Sequence, residues 1–511
     1  KFYGNTILNS IKGTVFMGDL EKYSLTNSLD ENIKMIQEIF CDDECINLRV
    51  FQNQYNDLKG CIFFIDDMVD PTIVDGHILK PILDNKALPG NIDHITYLST
   101  QILASSSLEI TSSIEDIVDA IVYGDTVLIA EGCAQVIIIS SKGWKVRDIT
   151  EPESEKALKG PREGFLESLS INLSMLRRKI RSKDLKFYRI TVGERTKTKV
   201  CVCYMDGLVH DKMLDKVIDK IENIYVDGVF CSKNIGEFIT DEPFSIFEMG
   251  HFTEKPDTVA SKILEGRIAV LVDGSPSVMT TPALFIETFI SSDDYALNYY
   301  YASMRRLLRI IGFVITISIP ALYLALVAFH QSTLPTDLLV TIYAAREGVP
   351  FPTILELIVL VIMFEVLIEA GTRTPGGVSQ ALSIVGVLVL GTAAVDARLV
   401  SAPTIIVVGA AAITELMLPE ITGPVAVLRM SLLILSSLLG LYGYMFGILA
   451  LIIHLFSLRG LGVPFMDGLT TLQPQSIKDT IVRAPAWFMR YRPKFMSKDY
   501  KRGSIGGKGD E

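Results

Sequence analysis

Three carboxylates in one apolar stretch, Glu356, Glu365 and Glu369, are the residues whose setting most invites chemistry. A charge at membrane depth costs about 2.5 to 3.5 kcal/mol on insertion scales unless it is protonated, paired or facing water. Glu365 and Glu369 share a helical face, whereas Glu356 points the opposite way. Glu369 can reach Arg373 one turn on. Glu356 and Glu369 are expected at the two interfaces and Glu365 within the membrane, where an ion pathway or helix-pairing role is open to it. Other reactive types form no constellation. Seven cysteines (41, 45, 61, 133, 201, 203, 231) lie before residue 300 without histidines at ligand spacing. Cys41 with Cys45, or Cys201 with Cys203, could bind a metal, but reduced thiols in strands are expected. The histidines are scattered, and GERTKT at 193–198 lacks the Gly-Lys-Ser/Thr ending of a phosphate loop, so it reads as a charged hairpin turn. No catalytic or cofactor site is expected.

The chain that must position these carboxylates has two unlike halves. Residues 1–309 carry 34 Lys/Arg and 46 Asp/Glu, residues 310–456 carry 4 and 8, and residues 457–511 carry 10 and 5. The halves meet near Arg309, and the tail is basic. An acidic first half has no electrostatic footprint for nucleic acid. Lys1 to Leu20 has no apolar signal-peptide core, so this half is expected in the cytosol. Gly60–Asp66 and Arg267–Val272 read as buried strands, Asp125–Ser140 and Phe187–Met205 as strand pairs, and Asp211–Ile224 as a helix on a sheet. This is an α/β pattern over residues 1–300, with subdomains at roughly 1–155 and 156–300. Within it, residues 160–185 place Phe165, Leu169, Leu173, Leu176 and Ile180 at helical spacing beside Arg162, Arg177, Arg178, Lys179, Arg181 and Lys183. The expectation is an amphipathic helix with a solvated charged face. A patch for anionic headgroups or a partner subunit is the alternative.

Residues 301–456 read as a transmembrane helical domain with apolar segments at about 310–329, 353–370, 381–395, 404–418 and 432–456. Twenty residues at 1.5 Å each cross a hydrocarbon core about 30 Å thick. Pro320 is expected to kink the first segment, and a loop is expected between His330 and Pro352. Arg305, Arg306 and Arg309 precede that segment and basic residues follow the last, which puts both ends in the cytosol. Five segments then require one to be re-entrant, or 381–418 to form a hairpin of unequal depth. The short segments are rich in small residues, among them Gly386, Gly391 and Gly409, which would let helices approach closely. Together with Glu365 and Glu369 these are the candidate pore or gating residues.

At this point the chain resembles a known family, the A subunit of GerA-type nutrient germinant receptors of endospore-forming bacteria. The resemblance rests on GPREGF at 160–165 followed by Asn172 and RRKI, DGSP at 273–276, SDDY at 292–295, LLRI at 307–310 and PALY at 320–323. REGVPFP at 346–352 with Glu356, FEVLIEAGTRTP at 364–375, IVG at 384–386 and GTAAVDARLVS at 391–401 complete it. Thr374 and Thr392 stand where the family commonly has Leu and Gln. The resemblance implies a spore inner-membrane complex with a transporter-like B subunit and a lipoprotein C subunit, which senses nutrients and triggers ion release. It also implies A subunits ringed around an ion-conducting pore, with the nutrient held mainly by the B subunit. The motif residues Gly160, Pro161, Arg162, Glu163, Gly164 and Phe165, with Arg346, Glu347, Pro350 and Pro352, become candidate coupling residues.

The competing readings are a stand-alone multi-pass transporter and a membrane-anchored enzyme. The first predicts inverted repeats among the spans, and no convincing repeat is visible. The second lacks any nucleophile, metal or phosphate constellation.

Overall fold

The computed structural model describes residues 20, 22–41, 43–56, 58–86, 94–103, 107–143, 159–372, 391–469, 479–489, 491–493 and 495–499. The apolar runs form strands, and the strands form two sheets of identical order. β1 (Ile46–Gln52), β2 (Lys59–Ile65), β3 (Leu108–Thr111), β4 (Thr126–Ala130) and β5 (Val136–Ile139) lie in the order β1-β2-β4-β5-β3. β6 (Leu185–Val192), β7 (Thr198–Met205), β8 (His251–Thr253), β9 (Ile268–Val272) and β10 (Val278–Thr281) repeat it as β6-β7-β9-β10-β8. Neighbours are antiparallel throughout, with GERTKT joining β6 to β7.

Helices α1 (Leu29–Ile39), α2 (Ile114–Val122), α3 (Leu169–Lys179), α4 (Asp211–Glu222), α5 (Ser232–Ile239) and α6 (Pro256–Leu264) cover the sheets. Side chains alternate across each strand. Cys61, Phe63 and Ile129 of the first sheet share one core with Cys201, Cys203 and Leu271 of the second, filled in by α1, α2, α3 and α6. On the opposite face of the second sheet, Val200, Val202 and Val270 pack beneath Met213, Val217 and Ile221 of α4. Both faces are covered, and so the strands read as continuous apolar runs although they are antiparallel.

That second core does not stop at the sheet. It continues through Phe285 and Phe289 to Phe313 and Ile317 and on to Leu432 and Leu455, in the helical part of the chain. Phe285, Phe289 and Phe313 meet edge to face at centroid separations of 5.3 to 5.8 Å, each pair adding about 0.5–1.5 kcal/mol beyond its buried area.

The helical part comprises α7 (Tyr299–Leu324), α8 (Thr336–Ala345), α9 (Thr353–Thr372), α10 (Ala402–Glu415), α11 (Thr422–Leu439) and α12 (Leu441–Ser457). By length and composition, Tyr299–Phe329 and Pro419–Leu439 are long and apolar enough to cross a membrane. α7 runs through Pro320 and ends in a π turn at Ala325–Phe329.

Three expectations need correction. The loop between His330 and Pro352 contains α8, whose Thr336 to Ala345 run is short enough to pass for a connection. The single span at 432–456 is two antiparallel helices broken at Gly440, which takes φ +61° and ψ −136°, a region nearly closed to residues with a Cβ. Gly443 and Gly447 then let α12 lie against Leu435 and Leu432 of α11. The charged face of residues 160–185 is only partly solvated, with Arg162 and Arg181 exposed and Arg177 and Lys183 buried. Arg177 is 1% exposed and pairs with the buried Asp43, donating also to the carbonyls of Ser182 and Leu185. Lys179 pairs with Glu163 at 3.2 Å, Arg181 stacks on Tyr123, and Lys183 is buried. Most of segment 381–395, with its re-entrant reading, lies outside the described residues, as do Gly386 and Arg373.

The tail returns to the α/β part. Met496 is fully buried in the second core, and Lys498 donates to Asp211 of α4.

Candidate functional site: charged joints between sheet and helices

Asp294 is 0% exposed and sits where the second sheet hands over to α7. Arg309 donates to both its carboxylate oxygens, at 2.7 and 3.1 Å, and to the Phe289 carbonyl at 2.9 Å. Arg306, one turn earlier, donates to the same carboxylate at 3.3 Å and to the Asp479 carbonyl at 3.0 Å. Arg483 adds bonds to the carbonyls of Tyr295 and Leu297 at 3.0 and 2.8 Å. A carboxylate this deep is tolerated because two guanidinium groups and the Ser291 amide satisfy it. Of the three arginines ahead of the first span, Arg306 and Arg309 therefore turn inward, and only Arg305 offers its charge outward.

Beneath this joint Arg267 is 1% exposed and grips both oxygens of Glu287, which also takes Lys262 at 2.7 Å. Burial pushes the Glu287 carboxyl up, but Arg267 and Lys262 outweigh it and hold it well below the usual range. Glu287 in turn accepts the Leu284 amide, fixing the turn that carries Phe285 and Phe289.

Further along the helices, Arg429 of α11 is 2% exposed. It donates to Glu415 of α10 at 2.6 Å and to Glu365 of α9, so one guanidinium ties three helices. Glu415 Oε1 and Arg429 Nε have no partner among the described residues. A fourth joint centres on Glu356, which is 1% exposed. It accepts the Ser401 amide and hydroxyl at 3.0 and 2.9 Å and the Thr404 hydroxyl at 3.2 Å, capping α10, and Arg346 lies 3.4 Å away.

Of the other residues singled out from sequence, Glu369 lies on the exposed face of α9. Gly391 packs on Ile405, while Gly409 faces open space with nothing described within 4 Å of a Cβ position, so no described helix closes on it. Gly160, Pro161 and Arg162 are exposed, with Gly160 at φ +115°. Glu163 reaches α3, Gly164 and Phe165 are buried, and the Phe165 amide donates to Glu254. Glu347, Pro350 and Pro352 are exposed in the turn before α9.

The separate sequence motifs thus meet as contacts. The Asp273 carboxylate of DGSP accepts the Leu169 amide at 3.0 Å, just after GPREGF; SDDY meets LLRI through Asp294 and Arg309; REGVPFP meets GTAAVDARLVS through Glu356. Sequence reasoning missed Asp294, Asp479, Glu415 and Arg429 as a set. The isolated Arg429, set in an apolar run, was the available signal.

Comparison with known proteins follows the same boundaries. Residues 34–495 match the family described as Bacillus/Clostridium GerA spore germination protein. Spore germination protein KA of Bacillus subtilis (strain 168) is 34% identical over 480 residues, covering 93% of this chain and 88% of that protein. The uncharacterized membrane protein YfkQ of the same organism is 37% identical over 456 residues, covering 89% and 88%. The crystal structure of the N-terminal domain of the A subunit of the Bacillus megaterium spore germinant receptor GerK3 aligns over 52% of this chain and 98% of that one, at 28% identity and a TM-score of 0.42. With the family's pattern running through sheets, joints and helices alike, the chain belongs to the Bacillus/Clostridium GerA spore germination protein family.

Proposed function

We propose that this chain is the A subunit of a nutrient germinant receptor in the spore inner membrane, relaying nutrient sensing to germination. The observation that carries the reading is the match to the GerA family across residues 34–495, which takes in the α/β part and the helices together. In this reading the helical part is a multi-span bundle, with the α/β domain and the tail both on the cytosolic side. The tail's return to Arg306 supports that placement, since it brings both ends of the helical part to one face. The partners are a transporter-like B subunit, which holds the nutrient, and a lipoprotein C subunit. Copies of this chain assemble as a ring and conduct ions.

The joints give this reading a mechanism. Conformational change in a packed structure moves between discrete arrangements, and the Asp294 knot fastens the segment that follows the second sheet to α7. A shift of the α/β domain is thereby passed to α7 and, through its packing on α10 and α11, to Arg429 and its two carboxylates. Deleting the gene and challenging spores with a panel of amino acids and sugars tests the receptor role, with loss of germination to at least one nutrient expected. Germination unchanged on every nutrient defeats it. Reconstitution with the B and C subunits tests conduction, and nutrient-dependent ion flux is the expected result.

A further inference from the structure

Residues 240–250, the turn between α5 and β8, hold apolar side chains outward from a fixed frame. Phe244 is 100% exposed and Ile246 39% exposed, just past Pro243. We propose that these two side chains insert into the headgroup layer of a bilayer and pin the second-sheet side of the α/β part to the membrane surface.

The frame comes first. Asp241, at the start of the turn, accepts Lys216 and Lys220 of α4 at 2.8 and 2.7 Å and the Leu461 amide, just past α12, at 2.9 Å. Within the turn the Ser245 amide donates to the Glu242 carbonyl and the Phe247 amide to the Ser245 hydroxyl, both at 3.1 Å. Phe247 is 3% exposed and meets Phe285 and Phe465 at centroid separations of 5.6 and 6.1 Å. A lone exposed apolar residue needs no explanation, but a phenyl held outward from so many fixed points is not free to fold back onto the core. The level comes next. The Phe247 ring lies 6.4 Å from that of His454, in the last turn of α12. Met445, Leu449, Ile452, Ile453 and Phe456 form one outward stripe of α12, each 46–60% exposed, which faces lipid in the membrane reading. Phe456 lies about 3 Å beyond His454 along the helix axis, and three residues of chain keep Phe244 within about 11 Å of Phe247. A headgroup layer about 5–7 Å thick begins where such a stripe ends, so the tip of the turn is within its reach. Arg459, exposed just past α12, marks the same boundary.

The chemistry of the turn favours lipid over protein. Two apolar side chains fall far short of the roughly 800 Å² per partner that a specific protein interface buries, and the exposed Glu242 and Glu248 interrupt the surface around them. A bilayer asks for no matching shape. Lys216 and Lys220 are taken by Asp241, and Lys233 by Glu248 at 2.7 Å, so insertion rests on the apolar side chains and needs no anionic lipid. The inference rests on the membrane reading above.

The test places an indole at the tip, Phe244→Trp, in a full chain whose own tryptophans are removed by Trp144→Phe and Trp487→Phe, reconstituted in phosphatidylcholine nanodiscs. Two further chains in the same background carry the indole on the outer stripe of α12 (Met445→Trp) or in the first-sheet hairpin (Tyr55→Trp), where the native side chain is 59% exposed. Discs of phosphatidylcholine brominated high in the acyl chains are expected to quench the indole at 244, and to quench it more than discs brominated near the chain ends. The low end of phenyl burial favours the inserted over the withdrawn state about tenfold, so acrylamide should quench the indole at 244 about tenfold less than the one at 55. Ile246→Glu combined with Phe244→Trp should restore acrylamide access. Melting temperatures identify any variant that misfolds, and bromine quenching at 244 carries the test if the Glu variant does. An indole at 244 that acrylamide reaches as freely as at 55 overturns the proposal. One shielded from both acrylamide and bromine also overturns it, because protein, a second copy included, then covers the turn. The α12 indole separates the two failures. Bromine quenching at 445 with none at 244 refutes the turn alone, and no bromine quenching at 445 refutes the membrane reading.

Discussion

Replacing Asp294 with Asn removes the one charge that holds Arg306 and Arg309 while keeping the side chain's shape. Three charge-assisted bonds go with it, at 2.7, 3.1 and 3.3 Å, all buried. Arg306 keeps Asp479, but Arg309 keeps only the Phe289 carbonyl among the described residues. Removing one member of a buried ion pair costs about 3–5 kcal/mol, because the remaining charge is left desolvated and uncompensated. At a tenfold change per 1.4 kcal/mol, local opening of the joint becomes about a hundred- to several-thousandfold more frequent. Hydrogen exchange of the amides at the start of α7, measured on the detergent-solubilised chain, reads that directly. Exchange in β1 to β5 should stay unchanged. A double-mutant cycle with Arg309→Met isolates the pair, and a coupling of at least about 2 kcal/mol is expected. If Asp294→Asn accelerates exchange less than about fivefold, or the two changes add independently, Asp294 is not what fastens the sheet to the helix.

The remaining expectations follow from the other joints. Arg429→Met leaves Glu415 and Glu365 without their shared cation and should cost about 3–5 kcal/mol in thermal unfolding, with Glu415→Gln in the same chain recovering part of it. Gly440→Ala puts a Cβ 2.9 Å from Phe329 and forces a backbone region costing about 1–3 kcal/mol; increased protease cleavage between α11 and α12 is the readout. His251 has its value lowered to about 4 by burial and by Lys262, against an ordinary 6.5. The folded chain then binds fewer protons than the unfolded one between these values, so this residue's contribution is full above about pH 6.5. It is lost as pH falls toward 4, by at most about 3 kcal/mol. His251→Asn should flatten the pH dependence of melting in that window.

Much of the α/β part was legible because its strands are buried on both faces. Gly60–Asp66 and Arg267–Val272 are apolar without interruption, and GERTKT marks its own hairpin. The duplicated strand order was not legible. It is a property of topology, and β3 and β8 are too short, at 4 and 3 residues, to announce themselves. Arg177 was misread because its neighbours Arg178 and Lys179 suggest a solvated face, while its partner Asp43 lies 134 residues away. Glu365 stood out in the sequence as a charge in need of a partner. The answer, Arg429, fell outside the expected span because hydropathy windows trim a helix at its charge. The break at Gly440 was hidden for the opposite reason, since LLGLYG is apolar on both sides of the turn.

The Asp294 joint also constrains how the molecule is made. Arg306 and the Asp479 that completes its shell are 173 residues apart in the chain. At about 5–20 residues per second, the ribosome needs roughly 10–35 s to deliver the second after the first. During that interval Arg306 and Asp294 are already synthesised and every intervening helix must find its place. The clasp between the α/β part and the helices therefore closes last, and a chain with a misplaced helix would carry its tail to the wrong place and leave the clasp open.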